Sequence, residues 1–155
     1  MHRTLSSILL CFVVILSAAN AKTDSATSDT PTDRGIALLD QMLGEDRKII
    51  LDKLRIISPD MAHWVVNFAY GEVVTRPQLD LRTRELSTIA ALTAMGTARS
   101  QLRTHIGMAL KIGVTPTEIL EVIMQMTVYA GFPAGLNGLR IAHDVFQEKE
   151  VKVLN

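Results

Sequence analysis

Asp80-Leu81-Arg82-Thr83-Arg84-Glu85-Leu86-Ser87-Thr88-Ile89-Ala90-Ala91-Leu92-Thr93-Ala94-Met95-Gly96 opens on a residue that can cap a helix and closes on one that can end it. Between them lies one carboxylate, Glu85, in a helical pattern whose neighbours Leu86, Ile89, Ala90, Leu92 and Ala94 are suited to burial. An acid so placed loses solvation and must be neutralised or paired. No other acid occurs between Leu81 and Thr117, and the nearest partners in sequence are Arg82, Arg84 and, twenty residues on, His105. Glu85 is therefore a candidate for sharing a proton or a charge, with Arg82, Arg84 and His105 all open as its partner. The plainer alternatives are a structural ion pair of Glu85 with Arg82 and a core histidine bonded to a backbone carbonyl.

Downstream, the His105 helix is expected from about Ala98 to Ile112, stopping at Gly113. Thr115-Pro116-Thr117-Glu118 is a capping box with proline at the first helical position. It opens a helix through Ile119, Val122, Ile123, Met126 and Tyr129, which Gly131-Phe132-Pro133 breaks. A last helix is expected from about Pro133 to Gln147, and residues 149–155 read as a loose tail. Upstream, Ile36, Leu39, Met42 and Leu43 form a first helix stopped by Gly44. Arg47 to Ile57 forms a second, with Ile50, Leu51, Leu54 and Ile57 as its stripe. Ser58-Pro59-Asp60 starts a third, whose expected apolar face is Met61, Trp64, Val65, Phe68 and Ala69 and which ends near Tyr70-Gly71-Glu72. No run alternates at period two, so the class is all-α, a single-domain bundle of six or seven helices over residues 33–148. Helices apolar on more than one side in so short a chain point to self-association.

The first 21 residues stand apart from this domain. His2 and Arg3, an apolar run from Ile8 to Leu16, and Ala19-Asn20-Ala21 make the pattern of a secretory signal peptide, too short in its apolar part to span a bilayer comfortably. Residues 22–32, with no aliphatic side chain larger than alanine, read as a flexible linker. The expected mature protein is periplasmic or secreted and not membrane-bound. Removing the segment removes Arg3 from 16 basic residues, leaving 15 against 16 acids. That balance argues against a nucleic-acid partner. The same cut removes the sole cysteine, Cys11, so no disulfide, thiolate nucleophile or cysteine ligand remains. No two histidines share a helix at ligand spacing, and no metal site is expected.

Tyr70-Gly71-Glu72-Val73, Arg76-Pro77, Leu79 to Leu86, Ile89 to Leu92, His105, Gly113-Val114-Thr115, Glu118-Ile119, Glu121-Val122 and Tyr129 to Ala134 together resemble the carboxymuconolactone decarboxylase family, over about residues 36 to 147. The resemblance implies an all-helical, alkyl hydroperoxidase D-like fold that assembles as a homotrimer or homohexamer, with sites between helices near subunit contacts and no cofactor. The alkyl hydroperoxidase D-like branch carries Glu, then Cys-x-x-Cys-x-x-x-His. Counted back from His105, its cysteine positions fall on Ala98 and Gln101. Thiol peroxidase activity is thereby disfavoured, and the decarboxylase branch, which removes carbon dioxide from a carboxylated unsaturated lactone such as 4-carboxymuconolactone, is favoured. Two departures stand against a simple transfer: that degradation is intracellular whereas this chain carries an export pattern, and Val74 stands where family members often have tryptophan.

Loss of carbon dioxide from such a lactone sends electrons into the conjugated carbonyl, which calls for an acid or cation near that oxygen and a proton donor at carbon. His105 suits the donor, with Glu85 fixing its tautomer or shuttling the proton. From Arg76 to Lys111 there are six basic residues against Asp80 and Glu85, a field that would gather a small carboxylate. Arg76, Arg84 and Tyr129 are the candidate substrate-binding residues, with Trp64 a further candidate for the pocket wall; a solvated face and ordinary packing are their alternatives. The competing function classes are a non-catalytic exported oligomer that binds an anionic metabolite, and an isomerase or cyclase of the same fold.

Overall fold

The computed structural model describes residues 29–153, so the expected signal peptide, residues 1–21, lies outside the described residues. The described residues form seven helices and no strand: α1 (Pro31–Leu43), α2 (Asp46–Ile57), α3 (Pro59–Trp64, continuing as a π-helix over Val65–Val74), α4 (Leu81–Met95), α5 (Arg99–Lys111), α6 (Pro116–Ala130) and α7 (Phe132–Glu148). None of them is long and apolar enough to cross a membrane.

The start and stop residues act as their chemistry requires. Asp80 accepts from the Thr83 amide, Thr115 and Glu118 form a reciprocal capping box, and Gly96 closes α4 in the left-handed conformation, at φ 68°, that glycine adopts freely. The first helix begins at Pro31, two residues earlier than expected, because Thr30 and Asp33 cap it reciprocally. At the other end the chain folds back at Val151. The Val151 amide donates to the Phe146 carbonyl at 2.9 Å and its side chain packs against the core, with Glu150 taking a left-handed turn at φ 53°.

Two hydrophobic clusters hold the bundle. The larger joins Ile89, Ile106, Ile119, Ile123, Ala142, Val145 and Phe146 from α4 to α7; the smaller joins Leu39, Met42, Leu51, Val66 and Met108. Helix α5 serves both, giving Ile106 to one and Met108 to the other. Crowding at the α1 crossing fixes two glycines, since a Cβ on Gly35 would collide with the Val66 carbonyl and one on Gly71 with the Pro31 carbonyl.

Two expected faces are corrected. In α2 only Leu51 is buried, while Ile50 and Ile57 are exposed, because that helix lies at the edge of the bundle along α1 and α3. In α3 the expected face of Met61, Trp64 and Phe68 points outward, and Ala62, Val66 and Gly71 are buried instead. Their spacing of four and then five follows the wider π turn, which rotates the buried face away from where α-helical periodicity puts it.

Candidate active site

Glu85 stands on the buried stripe of α4 with Ile89 and Thr93, spaced at i, i+4 and i+8. The cap at Asp80 sets that register and the three-residue turn after α4 brings α5 alongside. His105 then meets Glu85, with Nδ1 2.9 Å from Oε2. The carboxylate side chain is 3% exposed and the imidazole 20%. With Glu85 ionised its oxygen accepts, Nδ1 carries the hydrogen, and Nε2 is left as the ring atom for proton exchange. No hydrogen-bond partner for Nε2 occurs among the described residues. The pair thus has a buried acid behind a partly open base.

Tyr70 is the residue that sequence reasoning missed as a member of the site. It comes from the π-helix, and its hydroxyl lies 3.9 Å from the Met108 sulfur, three residues along α5 from His105. Burial, and after it the negative charge of Glu85, push the phenol well above its ordinary range, so it stays protonated as a neutral donor. Its only sequence signal was its place at the head of Tyr70-Gly71-Glu72-Val73. Helical periodicity could not bring it inward, because the turn that does so is π-helical.

The remaining candidates make other contacts or face solvent. Arg82, offered as a partner for Glu85, donates instead to Glu118 at 2.6 Å and to the Gly113 carbonyl, tying α4 to the start of α6. Arg84 donates to the carbonyls of Leu79 at 3.1 Å and Arg76 at 2.9 Å, so its guanidinium holds the loop before α4. Arg76 is exposed in that loop. Tyr129 is 76% exposed and Trp64 55% exposed. Among the described residues no hydrogen bond or ion pair joins Arg76, Arg84 or Tyr129 to Glu85 or His105. No group of three or more His, Cys, Asp or Glu that could hold a metal ion occurs there either.

Ala98 is the N-cap of α5 and Gln101 lies in its first turn, one turn before His105. Neither side chain carries a thiol, so what the arrangement can do chemically is move protons. The family model for the carboxymuconolactone decarboxylase family matches residues 59–144, from α3 into α7, a span that contains Tyr70, Glu85 and His105. A 4-carboxymuconolactone decarboxylase of Acinetobacter baylyi is 35% identical over 116 residues, covering 74% of this chain and 86% of that protein. An uncharacterized 15.0 kDa protein of Paracoccus denitrificans is 42% identical over 82 residues, 52% of this chain and 61% of its own length. The nitrosuccinic acid decarboxylase of Metarhizium robertsii is 27% identical over 119 residues, 75% of this chain and 81% of its length. With the family's span running through most of the helical bundle and through the acid–imidazole pair itself, the chain belongs to the carboxymuconolactone decarboxylase family and has its all-helical, alkyl hydroperoxidase D-like fold.

Proposed function

We propose that the protein is a cofactor-independent carboxy-lyase that removes carbon dioxide from a small carboxylated unsaturated lactone of the 4-carboxymuconolactone type. The observation that carries this reading is the 2.9 Å contact between buried Glu85 and partly exposed His105. Support comes also from two of the relatives, the decarboxylases of Acinetobacter baylyi and Metarhizium robertsii. Their substrates share a chemistry: each is a dicarboxylate in which the departing carboxylate is attached to, or conjugated with, a group that accepts electrons. The carbonyl of the unsaturated lactone is that group in one and the nitro group in the other.

The carbon–carboxylate bond breaks, carbon dioxide leaves, and its bonding pair passes through the carbon–carbon double bond into the lactone carbonyl. A proton must then be delivered to carbon. Protonated His105 gives it from Nε2 while Glu85 holds Nδ1–H and stabilises the imidazolium between turnovers. The ring regains its proton from solvent, so each turnover consumes one. Tyr70, kept neutral by burial and by the negative charge of Glu85, adds no charge near the acid. Arg76, Arg84 and Tyr129 remain the proposed substrate contacts, the arginines as a source of positive potential at the loop before α4.

The reading is tested by incubating the purified protein with 4-carboxymuconolactone, and in parallel with nitrosuccinate, in deuterated water. Release of carbon dioxide with one deuterium on carbon in the product is expected from at least one of them. Saturable binding without turnover of either would favour a binding protein. We further propose that the chain is exported, as its basic start, apolar run and Ala19-Asn20-Ala21 support; the mature protein would begin near Lys22 by N-terminal sequencing.

A further inference from the structure

On the outer side of α5, about a third of a helical turn from His105, lies a cavity of about 200 Å³ between the α1–α2 turn, α5 and the start of the C-terminal segment. Drug-sized ligands occupy pockets of about 300–1,000 Å³, so this one suits a small ion or a few-carbon acid. Its lining brings together Arg103, Lys111 and Lys149, with one carboxylate, Asp46. Met108 is part of this lining, whereas neither Glu85 nor His105 is.

Three features give the cluster the marks of a site. Lys111 and Lys149 have no ion-pair partner among the described residues, whereas Arg103 of α5 is paired with Glu148 of α7. Both ammonium groups lie across glycines. A Cβ on Gly44 would run into the Lys111 Nζ, and one on Gly107 would come within 3.2 Å of the Lys149 Cε. Arg103 spends only part of its guanidinium on Glu148, donating through Nη2 at 2.7 Å. Its Nη1 is buried and meets no acceptor. A guanidinium nitrogen withheld from water without a partner is costly, and a small rotation toward an oxyanion in the cavity would satisfy it.

We propose that this cavity binds a small oxyanion, of phosphate or carboxylate type, through Arg103, Lys111 and Lys149, at a place separate from the Glu85–His105 pair. Two lysines act as point charges and the arginine as the oriented donor. The lining sets three cations against one acid, Asp46, and because Arg103 is already paired with Glu148 the attraction rests mainly on the two unpaired lysines.

Calorimetric titration of the purified protein at low salt, once with inorganic phosphate and once with succinate, tests this. The same titrations are run on the double variant Lys111→Gln/Lys149→Gln and on Glu85→Gln. Circular dichroism confirms that each variant is folded. Saturable binding is expected in the parent and in Glu85→Gln, weakened about tenfold or more in the lysine variant, as loss of charge-assisted bonds implies. Binding of phosphate alone, or of succinate alone, identifies the class of anion; binding of both marks an unselective oxyanion site. Absence of saturable heat with both probes overturns the proposal. So does unaltered binding in the lysine variant, or loss of binding in Glu85→Gln, which would put the anion at the catalytic pair. Decarboxylase activity does not enter any of these outcomes, so the failure of one proposal leaves the other standing.

Discussion

A single residue, Glu85, shows how far sequence goes and where it stops. That it is buried and must be partnered was legible from its aliphatic neighbours, and three partners were in reach. Choosing among them needed coordinates, because Arg82 finds Glu118 and Arg84 finds loop carbonyls that no spacing rule could announce. His105 alone is left for the acid. Removing it strands a carboxylate that is nearly excluded from water, so His105→Ala should lower stability by about 1–3 kcal/mol in urea denaturation. Glu85→Gln keeps an acceptor oxygen toward Nδ1 and should cost less than half as much. Equal losses for the two would mean that the contact is packing and not a charge-assisted bond. For Tyr70, whose hydroxyl faces only a weak sulfur acceptor, Tyr70→Phe should change stability by under about 1 kcal/mol.

At the level of the helix, boundaries were more legible than faces. Caps are local chemistry, and Asp80, Gly96, Thr115 and Glu118 all perform as written. Faces depend on the number of residues per turn, and the π-helix after Trp64 changes that number without a signature in side-chain pattern. Its tight crossing with α1 makes a sharp prediction. Gly71→Ala forces a methyl onto the Pro31 carbonyl and should destabilise by about 1–3 kcal/mol, read as a shift in the urea midpoint; a neutral substitution would mean the two helices can part. The start of α6 predicts an acid response. Backbone and side-chain bonds from Thr115, and then Arg82, hold Glu118 at about 2, below its ordinary 4.5. A depressed carboxylate contributes its stabilisation above the ordinary value and loses it as pH falls through the depressed one. Part of the loss in melting temperature between pH 4.5 and 2 should therefore disappear in Glu118→Gln.

For the whole molecule, the all-α class followed from the absence of any period-two run, whereas the placing of the exposed apolar residues did not. Trp64, Phe68, Val128, Tyr129 and Phe132 are each more than half exposed, a surplus that a second copy of the chain would cover. We propose a homotrimer or homohexamer. Light scattering should give three or six times the chain mass, falling toward one in Trp64→Ser/Phe68→Ser; a monomeric parent protein would contradict it. The assembled protein is also the proper object for the decisive assay, the steady-state rate of carbon dioxide release from 4-carboxymuconolactone by the parent chain and by Glu85→Gln. An acid that positions and charges a proton-donating imidazole predicts measurable turnover in the parent and a fall in kcat of roughly 100- to 10,000-fold in the variant, with the melting temperature nearly kept. Equal kcat in the two proteins would contradict the account.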